Sequence, residues 1–485
     1  MKKRTRELAP VPSLARGNHG WPPRGLRAAV VALGFAAVGC ATAPRDAGFG
    51  AVSEAVARRS GDHVVWNEGP VANPEIDARV RSLLEGDLTG DCAVEIALIN
   101  NHGLQATLGE LGVARADLLE AGLLKNPIFG GEVRYPGSPV QPYELTLVQS
   151  VLDIFERPLR KRVAADRLEQ VKLQVGSAVL DLISETRAAF YRVQAAGAVR
   201  DLRRKALDAS QAASDLAERQ YKAGNITPLD LESEKALAEE AELDLARSER
   251  DWVVDRERLS LLMGVGESPP KVAPSAPLPD REPNVADLEG IALKERLDLA
   301  AARAEVEIAA HAKPLARLSK LGDLSLGVHQ ERDAEGQKAT GPAIEISLPV
   351  FNHGQAAVMG ALARWRQAAE RLAALEAQVR SEVRTAHARV EASRAEATHL
   401  HDVLLPRRRR IVEEVQLEYN AMAAGVFQLL DARRRELDAQ REGIESERDY
   451  WIARNELERA VGGRLLLTAG EGAPAPKNET RGGVQ

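Results

Sequence analysis

The stretch DLSLGVHQERDAEGQKATGPAIEISLPV, Asp323–Val350, decides the fold. Asp323–His329 alternates strictly, and so does Ala343–Val350; in each, one face is branched apolar and the other is polar or small. A period of two marks a β-strand with one face against something apolar. Between the runs, Arg332–Gly341 holds the glycines and charges of a turn. Strands are therefore expected at about 321–329 and 342–351. Near ten residues each, they have the length that crosses a bilayer when tilted. Asp323, His329 and Glu345 on the opposite face suit a wet lumen.

The same pattern stands earlier in the chain. Phe129, Gly131, Val133 and Tyr135 share a face of one run, with Glu132 opposite, and Tyr143, Leu145 and Leu147 share a face of the next. These place strands at about 126–135 and 143–152, joined by Pro136–Pro142. The alternative is a pair of soluble amphipathic hairpins capping a helical domain, but no second sheet is written to cover their apolar faces. Four strands cannot close a barrel, and hydrocarbon forbids open edges. Eight strands is the practical minimum. Strands that span a membrane here must be pooled by several copies.

Outward from the strands, the whole unit recurs. Residues 92–266 and 285–463 match at an offset near 195–201. Ile96-Ala97-Leu98 aligns with Ile291-Ala292-Leu293, and Ser248-Glu249-Arg250-Asp251 with Ser446-Glu447-Arg448-Asp449. Tyr221, Gly224 and Asp230 parallel Tyr419, Gly425 and Asp431. Ordered matches of this kind are the signature of duplication. After each strand pair comes a long helical stretch, Glu156 to Tyr221 and Gly354 to Ala423, with a return helix of about 35 residues. At 1.5 Å per residue, the first arm extends ~100 Å. Val179, Leu182, Ile183, Phe190 and Val193 form its apolar stripe. Pro406 removes one ladder bond and should kink the second arm.

The ends mark an exported chain. Seven Lys and Arg residues, among them those at positions 2, 3, 4, 6, 24 and 27, precede the apolar run Ala28–Val38. That run is too short to span a bilayer and suits a signal peptide over 1–39. Ala37-Val38-Gly39-Cys40 has the form of a bacterial lipobox, so a covalent lipid on Cys40 is expected, followed by a lipid-anchored tail over 40–91. No other cofactor is expected. Beyond residue 39 the chain carries 58 basic against 70 acidic residues, a net charge of −12, which disfavours nucleic acid as a partner. Cys92 is the only other cysteine, so no intrachain disulfide is available. The Pro-rich linker 267–284 should be extended and the tail 464–485 disordered.

No enzymatic constellation stands out. His399 and His401 are two apart and cannot face one metal on a straight helix; no metal-ligand set, nucleophile triad or phosphate loop is present. Arg407–Arg410 points all round a helix and reads as a solvated belt. Gly224 and Gly425 stand where each hairpin reverses, and glycine suits the left-handed residue that ends a helix. Thr227-Pro228-Leu229-Asp230 has the form of an N-cap, a first-turn proline and a capping-box acid; Asp431 has no such cap before it.

The chain as a whole resembles TolC-type outer-membrane factors. The carrying features are the duplication, the Leu348-Pro349-Val350-Phe351-Asn352 strand exit, the Tyr…Gly…Asp turns and the lipobox. Ile96–Asn101 and Leu123–Pro127 are most similar to the branch that serves resistance-nodulation-division pumps, heavy-metal exporters included. The resemblance implies a mainly helical homotrimer in the outer membrane, with a twelve-stranded β-barrel on a twelve-helix tunnel. It implies a passive duct for drugs or metal ions, and partners in a periplasmic adaptor and an inner-membrane pump. By the same resemblance Gly224 and Gly425 dock the adaptor, and Asp230 and Asp431 line the periplasmic aperture. Met422 and Phe427 depart from the family, whose best-known member has a latching Tyr and Arg there. Two other classes compete: a periplasmic adaptor lipoprotein, with one hairpin between lipoyl-like β segments, and a structural coiled-coil lipoprotein, with heptads and no strands.

Overall fold

The computed structural model describes residues 48–67, 73–135, 141–266, 271–279 and 287–464. The export segment, Cys40, most of the C-terminal tail and parts of the linker lie outside the described residues. The first repeat runs α3 Gly90–Asn100, α4 His102–Gly122, β1 Ile128–Val133, β2 Tyr143–Ser150, α5 Leu152–Lys222 and α6 Pro228–Met263, preceded by α1 Phe49–Ser60 and α2 Pro74–Leu84. The second runs α7 Leu288–Glu295, α8 Leu297–Leu318, β3 Leu324–Arg332, β4 Lys338–Ile346, α9 Gln355–His399, α10 Leu405–Asn420 and α11 Val426–Val461.

The tail expected over 40–91 is not a bare tether where it is described. Val52 and Val56 of α1 and Val80 of α2 are buried. Val52 and Val56 join Val94, Leu108, Leu111, Val175 and Val179 in one core, where α1 lies against α5. A second core gathers Ile96, Phe190, Leu259 and Met263, and a third gathers Val379, Val383, Tyr450 and Leu457. All three cores sit where the short helices meet the long ones. The linker is extended where it is described: Leu88 and the 271–273 segment exchange hydrogen bonds of 2.8 and 2.9 Å.

Both repeats bend at the same place. Asn101 and Arg296 each end one helix and open the next, with nearly equal dihedrals (φ −69°, ψ 111° and φ −67°, ψ 124°). Below that level the helices pack in the order α6–α5–α11–α10, which leaves α6 and α10 as the two flanks. The second long arm is interrupted by a π turn, Leu400–Leu404, immediately before Pro406. The missing proline N–H explains the break, since the ladder must slip a residue to keep its other bonds.

The strands form one sheet in the order β1-β2-β3-β4, antiparallel throughout. Their bounds differ from the sequence expectation chiefly in the second repeat. The β3–β4 turn is Asp333–Gln337, not the whole of 332–341. Asp333 Oδ1 accepts the Gln337 N–H at 2.8 Å and Gly336 sits at φ 86°, so the hairpin closes tightly and strand pairing runs out to Arg332 and Lys338. Pro342 is tolerated inside β4 because β4 is an edge strand whose outer side needs no partner within the chain. β4 ends at Ile346 rather than near 351, three residues short of Pro349, which has no N–H for a ladder.

Candidate pore: sheet faces and hairpin tips

Register fixes which side chains share a face, because directly paired residues point the same way. Phe129↔Leu147↔Val328↔Pro342 forms one row across all four strands, with Gln149↔Leu326↔Ile344 beside it. Phe129, Leu147, Leu326, Val328 and Ile344 are exposed in the single chain. Such a patch marks contact with lipid or protein. The other face carries Glu132, Glu144, Thr146, Ser325, His329, Glu331 and Glu345. The wet and dry faces expected from alternation are both there. β1 and β4 are open edges of this sheet within the chain.

On the wet face, Glu132, Glu144 and Glu331 stand directly opposite one another on three neighbouring strands. Like charges so placed repel. One cation, Arg134, relieves the first two, and His329 stands between the second and third. Arg134 Nε lies 2.8 Å from Glu132 and its Nη2 3.7 Å from Glu144. His329 lies 3.3 Å from Thr146 Oγ1, with Glu144 at 3.6 Å and Glu331 at 3.7 Å. Glu144 and Glu331 were not singled out from sequence. Extending the period-two pattern through Tyr143 and past His329 would have found both. Among the described residues, no cluster of His, Cys, Asp or Glu is arranged to hold a metal ion, and no helix is long and apolar enough to cross a membrane.

At the first tip, Gly224 is the left-handed residue (φ 74°), as expected. At the second, the expectation for Gly425 fails: Gly425 is extended (φ −80°, ψ 156°), and Met422 takes the left-handed turn at φ 58°. The hydrogen bonds give the reason. Ala223, Gly224 and Asn225 donate to Arg219, Tyr221 and Gln220; Ala421, Met422 and Ala423 donate to Leu417, Tyr419 and Glu418. The tips are thus equivalent at an offset of 198, which puts Gly425 opposite Thr227 and Gln428 opposite Asp230. Asp431 has Ser233 as its counterpart.

Asp230 is held in the capping box. Its Oδ2 accepts the Thr227 hydroxyl at 2.7 Å and the Thr227 N–H at 3.0 Å, while Thr227 Oγ1 accepts the Asp230 N–H at 3.2 Å. The hydroxyl bond first, then the backbone one, holds its carboxyl below the usual range. Asp431 is exposed and pairs with Arg435 at 3.0 Å, one turn along α11. Between the tips runs a link that local patterns cannot show, because its partners are 200 residues apart: Arg434 Nη2 donates to Glu234 Oε2 at 2.6 Å, with the Glu234 side chain 9% exposed. That pair sets the two tips side by side at one end of the molecule.

A family model described as outer membrane efflux protein matches residues 143–265 and 288–463. Its first block runs from β2 through the first hairpin, and its second spans α7 to α11 of the second repeat. The chain belongs to the outer membrane efflux protein family. Among curated relatives of this efflux protein is the cobalt-zinc-cadmium resistance protein CzcC of Cupriavidus metallidurans, 23% identical over 359 residues, which are 72% of this chain and 84% of that protein. Among solved structures, CusC has a TM-score of 0.64 at 18% identity, covering 78% of this chain and 93% of its own. A Pseudomonas aeruginosa membrane protein gives 0.66 at 20%, covering 83% and 97%. The open-state MtrE channel of Neisseria gonorrhoeae gives 0.59 at 18%, covering 76% and 88%. The fold is that of outer-membrane efflux channels.

Proposed function

We propose that three copies pool their strands into a twelve-stranded barrel in the outer membrane and their hairpins into a periplasmic tunnel of twelve helices. The observation that carries this is the sheet: one apolar face, one carboxylate-lined face and two open edges. Two copies give only eight strands, whose interior side chains fill, whereas more strands leave a water channel. The duct is passive, one member of a tripartite system whose energy comes from an inner-membrane pump. A periplasmic adaptor docks where Gly224 and Gly425 present backbone without side chains; no neighbouring atom lies within 4 Å of where a Cβ would stand on either. Cys40 carries lipid that holds the chain to the periplasmic leaflet of the outer membrane. One hairpin between lipoyl-like segments, the adaptor alternative, does not match two hairpins and a four-stranded sheet.

For cargo we propose divalent metal ions. CzcC is named for cobalt, zinc and cadmium, and a lumen with Glu132, Glu144, Glu331 and Glu345 favours cations over anions. Planar-bilayer recording of the purified full chain tests the duct: discrete cation-selective pores are expected, and a protein that inserts without conductance overturns it. The cargo is tested separately by deleting the chain from its host and scoring tolerance to zinc, cobalt and cadmium. At the aperture, Asp431→Ala is expected to change divalent-cation block from the periplasmic side; identical block curves would remove Asp431 from that role.

A further inference from the structure

Two belts of charge on the flanks have no partner among the described residues. Arg407, Arg408, Arg409 and Arg410 of α10 form no ion pair among the described residues, nor do Glu239, Glu240 and Glu242 of α6. Arg407, Arg409, Arg410, Glu239, Glu240 and Glu242 are all exposed. Most other charged side chains along these hairpins are paired, as in Lys222–Glu218, Lys235–Glu232, Arg433–Glu436 and Arg441–Glu445. Unpaired charges also occur elsewhere among the described residues, as at Lys205, Asp208 and Arg219 of α5 and at Glu413 and Glu414 of α10.

The belts are level. Helix α6 leaves its tip at Pro228, and Glu239–Glu242 begin eleven residues beyond it. Helix α10 reaches its tip at Asn420, and Arg410–Arg407 begin ten residues before it. At 1.5 Å per residue both belts stand ~15–21 Å from the tip end. The Arg434–Glu234 contact holds the two tips at the same end, so the heights share an origin. Apolar residues bracket the belts at matching levels. Leu229, 75% exposed, stands beside the tip on α6 as Leu417, 62% exposed, does on α10; above the belts, Leu243 on α6 is level with Val403 on the other arm.

Because the helices pack α6–α5–α11–α10, the two belts face outward from opposite sides of one chain and cannot meet within it. They can meet between copies. We infer that the α6 flank of one copy docks antiparallel on the α10 flank of the next, with Glu239 and Glu240, four and three residues before Leu243, paired to Arg410 and Arg407, which share a helix face with Val403. This rests on the proposed ring of copies and adds which surfaces close it and what fixes their register. A slip of one helical turn would move a carboxylate ~5 Å from its guanidinium and bring Leu243 opposite charge. Arginine suits the role, since its planar fork holds a carboxylate in two directions.

The test uses the full lipidated chain extracted from membranes, in a Cys92→Ser background. Glu240→Cys together with Arg407→Cys is expected to give disulfide-linked oligomers on mild oxidation and no intrachain product. Reversing Arg407 and Arg410 to Glu is expected to cut the trimer fraction at low salt at least tenfold. Adding Glu239→Arg and Glu240→Arg should restore it to within twofold. An oligomeric, conducting protein that neither cross-links nor responds to charge reversal would overturn the belt pairing and leave the duct standing. A wild-type chain that is monomeric and does not conduct would overturn the duct and the pairing with it.

Discussion

At the first tip the chain turns through Ala223-Gly224-Asn225 and caps the next helix with Thr227 and Asp230; at the second it turns through Ala421-Met422-Ala423 and caps with Gly425 and Gln428. The backbone hydrogen bonds correspond one for one, yet hardly a side chain does. In the first, two side-chain oxygens satisfy two helix-end N–H groups and bond each other through the Thr227 hydroxyl. In the second, only the Gln428 Oε1 accepts the Gly425 N–H, at 3.1 Å. Hairpin geometry is thus set by where the helices must end, and the tips are free to differ in strength. The first is the stiffer. The same contrast appears at the other end of the hairpins, where Asn100 and Asn101 hold the first repeat's last carbonyls with neutral amides while Arg296 does so with charge.

The largest effect should come from the glycines that close each repeat. Gly264 and Gly462 are both left-handed (φ 68° and 94°) and both pack against the bend. A Cβ on Gly264 would lie 2.6 Å from the Asn100 carbonyl oxygen; on Gly462 it would lie 3.0 Å from the Arg296 nitrogen. Left-handed strain costs ~1–2 kcal/mol at either site. The tighter clash adds to it at the first. Gly264→Ala is expected to cost about 3 kcal/mol and Gly462→Ala about 2, read as loss of heat-resistant oligomer or of melting temperature in detergent. Equal losses would mean the two bends are equally tight.

Acid should separate the repeats next. Arg296 donates to Asp298 at 2.6 Å and to Glu382 at 2.5 Å. Burial pushes both carboxyls up, but the hydrogen bonds and charge of Arg296 outweigh it and hold both below their usual values. Carboxyls depressed in the folded state stabilise it above their unfolded pKa values, near 4, and the benefit is lost as pH falls through the lower folded values. The amide-held bend of the first repeat has no such dependence. Below about pH 4 the second repeat should exchange amide hydrogens faster by an amount on the order of 1 kcal/mol, since Glu382 is partly open to solvent. Arg296→Gln should abolish the difference.

Much of this molecule is readable without coordinates. Alternation at Asp323–His329 and Ala343–Val350 fixed the sheet's two faces, since a one-residue slip exchanges them. The offset between repeats located both hairpins. Two things escaped. The second tip was aligned on Gly425 because glycine is the usual left-handed residue, whereas the backbone there placed Met422 in that conformation. And Glu234 with Arg434, or Glu144 with His329, are pairs 200 and 185 residues apart, invisible to any local rule. Helical periodicity says which face is apolar but not which helix lies against it.

Capping gives a smaller test of the tips. Thr227→Ala removes the hydroxyl that bonds both the Asp230 N–H and its carboxylate, and should cost ~1 kcal/mol. Gly425→Ala should cost only a few tenths, because Gly425 offers no side-chain cap and its extended backbone accepts a methyl. Proteolysis at the tips reads both: Thr227→Ala should admit protease at the first tip, and Gly425→Ala should leave cleavage at the second nearly unchanged.

The smallest effect addresses the turn residue itself, and here the signs should oppose. Met422 is 96% exposed, so its side chain gains almost nothing from contact while its backbone bears the left-handed cost of ~1–2 kcal/mol. Glycine removes that strain but adds ~0.5–1 kcal/mol of unfolded-state freedom. Met422→Gly should therefore stabilise the second tip by about 0.5 kcal/mol. Gly224→Ala incurs the strain at the first tip and returns the entropy, a net loss of about 0.5 kcal/mol with no clash, since the space around Gly224 is open. Hydrogen exchange at Asn225 and at Ala423, whose amides donate to Gln220 and Glu418, measures each turn directly. Opposite shifts of similar size follow from one backbone carrying two side-chain choices. Shifts of the same sign would mean that the turns differ in more than that residue.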